Sequence, residues 1–503
     1  MKHLVSVAAL LAAAGSVAHA QTNLPQANDA YFRAARSALQ ERLRVTPNTG
    51  QAKNVILFVG DGMGISTVTA GRIYEGQKRG VDGESNALTM ERLPYAALSK
   101  TYTHDAQVAD SAPTAVAMVT GVKTRNDVIG VNSEVAVGDC AGSKGKEVAT
   151  LAAMAERAGQ ATGIVSTARI THATPAAMYA HTPHRDWEGD ANMPPEAMAA
   201  GCKDIAQQLA AWPQGDGFEV IFGGGRDRFL PSTMNDPEDH DRKGSRKDGR
   251  NLVAEWQNRY PNSGAFVWNK EQFDRLDAKT PHVLGLFERS HMRYEADRLK
   301  DNGGEPSLAE MTVKSIDILS QNPNGFFLMV EGGRIDHAHH DGNAYRSLED
   351  MVAFDNAIKV ALDKVKLEET LVIVTADHSH TLTISGYPRR GNPILDTIVE
   401  PDGNAKLGKD GKPITTLGYA NGPGAVKEGE PRPVPAGTTA PDYKQQSLVP
   451  LESETHGGED VAIFAGGPWA HLFAGVVEQN YIYHVIEHAT KLGERSGLRA
   501  AAR

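Results

Sequence analysis

The run Asn54-Val55-Ile56-Leu57-Phe58-Val59-Gly60, followed at once by Asp61-Gly62-Met63-Gly64, decides the fold. Its residues are apolar on both faces, as in a central parallel strand covered by helices on each side. Similar runs recur at 161–167, 218–222, 326–330, 371–375 and 461–465, with helical patterns between several of them, for example 147–158 and 306–319. Strands alternating with helices predict an α/β fold with a doubly wound, mostly parallel central sheet and helices on both faces. At 386–450 Pro, Gly and Lys become frequent and periodicity vanishes, which predicts an irregular, crown-like insertion over the ligand face. A second irregular stretch is expected at 231–249. Residues 29–45 read as a helix with Tyr31, Ala35, Leu39 and Leu43 on one face.

Composition bounds the function. Forty per cent of the 503 residues are apolar, enough for a large core. No uninterrupted apolar run reaches the ~18–20 residues of a membrane span. The net charge of −10 argues against nucleic acid as a binding partner, since that affinity comes from clustered Lys and Arg. Two cysteines exclude a disulfide-dense scaffold and a four-thiolate zinc site. Lys2 and His3, the apolar stretch Leu4 to Ala14 and Ala18-His19-Ala20 form a signal-peptide pattern over 1–20. The expected location is therefore periplasmic or secreted, a compartment that permits a Cys140–Cys202 bridge. The end of the chain, through Leu492 to Arg503, has no hydrophobic tail, so no membrane anchor is expected.

Chemistry-bearing residues follow the apolar runs. They are Asp61; Glu331, Asp336, His337, His339 and His340; Asp377 and His378; and His172 and Thr174. In open α/β sheets ligands bind outside the carboxyl ends of the strands, so one rule gathers them into one place. Asp61 taken alone is either a helix cap or a ligand. Asp336 and His340 are four apart and share a helical face, a usable spacing for two ligands of one metal. So many carboxylates and imidazoles together are strongly self-repelling unless cations such as Zn²⁺ and Mg²⁺ are bound. Ser111, before the helical pattern from Ala115, is either an N-cap or a nucleophile; as a nucleophile it needs activation, which a metal can supply.

These residues resemble the alkaline phosphatase family over about 29–490. The motifs are Asp61-Gly62-Met63-Gly64, Asp110-Ser111-Ala112-Pro113-Thr114, Thr171-His172-Ala173-Thr174-Pro175, Glu331-Gly332-Gly333-Arg334-Ile335-Asp336-His337, Thr375-Ala376-Asp377-His378 and Thr455-His456-Gly457-Gly458-Glu459-Asp460, all in family order. The resemblance implies one catalytic domain over 21–503 and a broad phosphomonoesterase, acting on small phosphate monoesters and releasing inorganic phosphate with an alkaline optimum. Ser111 would become a phosphoserine, and Arg185 would grip two phosphate oxygens. Asp336, His340 and His456 would hold one zinc. Asp61, Asp377 and His378 would hold a second zinc, which also touches Ser111. Asp61, Thr174 and Glu331 would hold magnesium.

Two substrate-pocket positions depart from the best-known bacterial pattern and match the animal-type branch: His172 stands in place of Asp, and His337 in place of Lys. A neutral imidazole is a poor magnesium ligand, so His172 belongs behind that site or beside a third zinc. The Cys140 and Cys202 spacing also resembles a disulfide of the animal branch. Glu238, Phe287, Glu288 and Glu305 resemble its calcium site. A homodimer is the family expectation. A sulfatase is disfavoured because Ser-Ala-Pro-Thr-Ala lacks the required Arg, and a diesterase because that group carries Thr as nucleophile and lacks the Arg185 clamp. A phosphate- or metal-binding protein without turnover would not need Ser111.

Overall fold

The computed structural model describes residues 24–498. The signal-peptide reading of 1–20 lies outside the described residues. Residues 24–46 form a unit of their own, carrying the helix Ala30–Arg42. Asp29 caps it by accepting from the Phe32 N–H at 2.9 Å, and Tyr31, Leu39 and Leu43 are exposed.

The body from Pro47 onward is built on a ten-stranded sheet. Its order is Val476–Glu478, Tyr95–Lys100, Val461–Gly466, Thr370–Ala376, Asn54–Gly60, Phe326–Gly332, Ala161–Arg169, Val220–Gly224, His282–Leu286 and Gly264–Val267. Only Val461–Gly466 runs antiparallel to its neighbours. Asn54–Gly60 shows why the apolar runs predict this layering. Val55, Leu57 and Val59 enter one core, while Ile56 and Phe58 enter the other. Phe327 and Met329 against Phe326, Leu328 and Val330 repeat the alternation, as do Leu371 and Ile373 against Val372 and Val374. Helices cover both faces. One of them, Leu308–Leu319, starts at a capping box in which Ser307 Oγ accepts from Glu310 N and the Glu310 carboxylate accepts from Ser307 N.

Residues 231–249 are irregular apart from isolated bridges, as expected. The 386–450 segment is more ordered than its composition suggests. Leu417–Gly422 and Ser447–Pro450 join Leu382–Ile384 in a three-stranded sheet. Ile394, Leu395, Leu417 and Tyr419 share a satellite core with Ala70, Ile73 and Leu348. Cys140 and Cys202 are disulfide-bonded, with Cα atoms 6.0 Å apart.

Candidate active site

Gly60 pairs with Gly332 on one side and Ala376 on the other, so Asp61 and Asp377-His378 leave adjacent strands at one level. Glu331 lies within its strand, opposite Val59 and Ser166. The helix Arg334–His340 carries Asp336 and His340, and Ser111 is the first residue of the helix Ser111–Thr120. His172 is the N-cap of the short helix containing Thr174. His456-Gly457 pairs antiparallel with Ser379-His380. Gly62 is required where these segments meet: its φ is +66°, and a Cβ there would lie 2.4 Å from His380 Cδ2.

Hydrogen bonding fixes the tautomers. His340 Nδ1 faces the carbonyl oxygen of Glu454 at 2.5 Å, and His456 Nδ1 faces that of Ala109 at 2.7 Å. A carbonyl only accepts, so both Nδ1 atoms carry the proton. Both Nε2 atoms therefore present lone pairs, and they face each other across 3.1 Å. Asp336 Oδ1 is 3.4 and 3.5 Å from these two nitrogens. Two imidazole nitrogens and a carboxylate oxygen converging in this way make a cation pocket.

His378 follows the same logic. Its Nδ1 donates to the Ser379 carbonyl at 3.2 Å. Its Nε2 is left 3.3 Å from Asp377 Oδ2 and 3.5 Å from Asp61 Oδ1. Ser111 Oγ sits 3.0 Å from that same Nε2 and 3.5 Å from Asp61 Oδ1. The candidate nucleophile thus lies at the mouth of the second pocket.

His380 was not singled out in the sequence. Its two nitrogens face Asp336 Oδ1 at 2.7 Å and Glu454 Oε2 at 2.5 Å. Burial opposes its charge, but these two carboxylates push its pKa up to about 9. His380 is therefore an imidazolium that orients Asp336, with no lone pair left for a metal. Burial also opposes the charge on Asp336, yet the hydrogen bond from the His380 imidazolium helps to hold that carboxyl well below its usual range.

The carboxylates nearer Ser111 lack such support. Asp61 Oδ2, Asp377 Oδ2, Glu331 Oε1 and Thr174 Oγ1 are buried without a hydrogen-bond partner. Burial, then Asp377 and other acids, raises Asp61 well above its usual pKa. Burial is also the main cause that pushes Glu331 up to about 7, although Ser166 Oγ donates to it. Buried carboxylate oxygens without donors are the site's unmet need, and a hard divalent cation meets it.

Arg185 bonds Asp110 through one terminal nitrogen and reaches His172 Nε2 at 3.0 Å through the other. His172, His337 and His291 form a second imidazole group whose ligand atoms lie within 4.8 Å of one another. His291 was not anticipated from the sequence. Burial and the nearby Arg334 push His337 down to about 3, so it stands neutral.

Farther out, Glu238 and Glu288 meet Asp301, with one oxygen each within 4.8 Å. Asp301 was not anticipated. Glu305 is close by, and its Oε1 accepts from Arg293 N at 2.9 Å. Phe287 is fully buried.

The family model for alkaline phosphatase matches residues 52–492. The chain belongs to the alkaline phosphatase family. It is 45 % identical over 480 residues to the tissue-nonspecific isozyme of Gallus gallus, covering 93 % of this chain and 91 % of that one. To the human tissue-nonspecific isozyme it is 47 % identical over 466 residues, covering 90 % and 87 %. The fold matches the alkaline phosphatase of the Antarctic bacterium TAB5 with a TM-score of 0.60 at 24 % identity, over 88 % of this chain and 99 % of that one. It matches the Thermus thermophilus alkaline phosphatase with a TM-score of 0.62 at 24 % identity, over 90 % and 93 %. This alkaline phosphatase is thus a phosphatase enzyme acting on phosphate monoesters, from a metal-dependent family, and it carries residue clusters suited to metals. No helix among the described residues is long and apolar enough to cross a membrane.

Proposed function

We propose a secreted, metal-dependent phosphomonoesterase of broad substrate range and alkaline optimum, working through a phosphoserine at Ser111. The observation that carries this reading is the pair of neighbouring imidazole pockets, with His378 Nε2 3.0 Å from Ser111 Oγ and its ring stacked at 3.6 Å on His456, whose Nε2 faces that of His340. Asp336, His340 and His456 hold one zinc; Asp61, Asp377 and His378 hold the other. Asp61, Glu331 and Thr174 hold magnesium, whose preference for oxygen donors suits the unpartnered atoms there. Glu238, Glu288 and Asp301, with Phe287 and Glu305 adjacent, form the calcium site. Bound metals supply positive charge where negative charge develops on the attacking and leaving oxygens.

Ser111 Oγ attacks phosphorus in line, the ester P–O bond breaks, and the departing alkoxide takes up a proton. Water then attacks the phosphoserine, returning the Ser111 hydroxyl and releasing inorganic phosphate. Arg185, held by Asp110, presents its guanidinium to the equatorial phosphate oxygens, while His172 and the neutral His337 line the same pocket. The active unit is a homodimer.

Release of p-nitrophenol from its phosphate monoester, compared with its phosphate bis-ester and its sulfate, tests the reaction class. The expected order is monoester far above both others, with activity lost in EDTA and restored by zinc and magnesium. Bis-ester or sulfate turnover equal to that of the monoester contradicts the reading.

A further inference from the structure

At the amino ends of the strands Ala161–Arg169 and Val220–Gly224, Glu156, Asp216 and Glu219 bring one oxygen each within 4.8 Å of one another. Glu156 lies on the helix Leu151–Arg157, and Glu219 immediately precedes its strand. Glu156 is only 5 % exposed. Its Oε1 accepts from Thr162 Oγ1 at 2.6 Å, but its Oε2 is buried with no hydrogen-bond partner. That free oxygen lies against Gly215, where φ is +51° and a Cβ would stand 2.1 Å away. Glu219 Oε2 is engaged by Thr162 N at 2.6 Å.

No ion pair to Lys, Arg or His involves any of the three among the described residues. The charges acting most strongly on Glu156 are those of Glu219 and Asp216. This contrasts with other buried acids of the molecule, such as Asp236 and Asp204, each held by an arginine. A cavity of about 400 Å³, lined in part by Asp216, Glu219, His282 and Asn324, opens beside the group and gives water and ions access.

We propose that Glu156, Asp216 and Glu219 form a calcium-binding site at the edge of the sheet remote from the reaction centre, tying the helix Leu151–Arg157 to the start of the strand Val220–Gly224. The donors are oxygen alone, which suits a hard cation rather than zinc. Calcium accepts six to eight ligands in loose geometry, so waters from the cavity complete the shell, whereas magnesium demands a near-ideal octahedron. The competing neutraliser is the proton, since burial pushes Glu156 up to about 9 and Glu219 up to about 8 when no ion is bound.

Terbium serves as the probe, because Tyr260 donates its hydroxyl proton to the Asp216 carbonyl at 2.8 Å and Trp256 stands beside it with ring centroids 5.0 Å apart. The full-length, zinc-loaded enzyme is titrated in an Asp301→Asn background, which disables the Glu238–Glu288 group. The expected result is aromatic-sensitised terbium emission that calcium displaces. Binding should weaken at least tenfold in Asp216→Asn and in the Glu156→Gln/Glu219→Gln double variant. Asp216 is exposed, so its variant separates loss of binding from loss of fold. Absence of calcium-displaceable emission, or equal affinity in parent and both variants, overturns the site and leaves the carboxyls as protonated groups.

Discussion

At the carboxyl ends of the strands, Asp61, Glu331, Asp336 and Asp377 stand among imidazoles and guanidinium groups. At the amino ends, Glu156, Asp216 and Glu219 stand with no paired base among the described residues. Both places gather carboxylates, so acidity alone does not make a reaction centre. The carboxyl ends add histidines whose Nδ1 atoms are tied to carbonyls, and a serine hydroxyl within reach of the freed lone pairs. The amino ends have only hard oxygens and no nucleophile. One place is built to react, the other to hold an ion.

Breaking the reactive end at its nucleophile gives the largest effect. Ser111→Ala should lower p-nitrophenyl phosphate turnover by at least about 10³-fold, since a nucleophile's loss removes the covalent route. Its zinc content, measured by atomic emission, should match the wild type. A loss under tenfold would put Ser111 back among ordinary helix caps.

The next effect tests how that end manages charge. His380→Ala leaves Asp336 without the cation that orients it, and groups behind a ligand typically govern about 10- to 100-fold in metal affinity. Competition with a chromogenic chelator should show zinc held that much more weakly, while substitution of an acid at the amino ends leaves zinc affinity unchanged. Equal zinc affinity in His380→Ala and wild type contradicts the orienting role.

Arg185→Ala should weaken inhibition by inorganic phosphate by about 10- to 100-fold, the equivalent of losing charge-assisted hydrogen bonds worth roughly 1.5–3 kcal/mol. An unchanged inhibition constant would make Arg185 only the partner of Asp110.

Part of the site was legible because several ligands follow an apolar run that a buried parallel strand requires. Asp61, Glu331 and Asp377 are of this kind, whereas His456 entered only through the family resemblance. The strands Tyr95–Lys100, Gly264–Val267 and Val476–Glu478 escaped notice because they sit at or near the sheet's edges, where burial is partial and the apolar pattern weakens, and His282–Leu286, though buried, because it is short and interrupted by Gly285. His380 left a readable trace: it lies two residues after His378, in the run Asp377-His378-Ser379-His380. His291 and Asp301 left none, for their neighbours in space come from distant segments. The sheet strands within 386–450, Leu417–Gly422 and Ser447–Pro450, were hidden by the Gly and Pro around them.

The smallest effect belongs to a buried acid in neither cluster. Burial pushes Asp350 up to about 8 in the folded protein, against about 3.9 when unfolded. The folded state therefore holds a proton that the unfolded state releases. This contribution is present below about pH 4 and is lost as pH rises through 8. Asp350→Asn should make thermal stability fall less steeply between pH 5 and 8; an unchanged slope would show that Asp350 is already ionised.

The most direct test of the central claim is to quench the enzyme in acid during turnover of a ³²P-labelled monoester, digest it, and locate the label. The account predicts one phosphoserine, at Ser111, absent in Ser111→Ala. Label on another residue, or label undiminished in the variant, would contradict it.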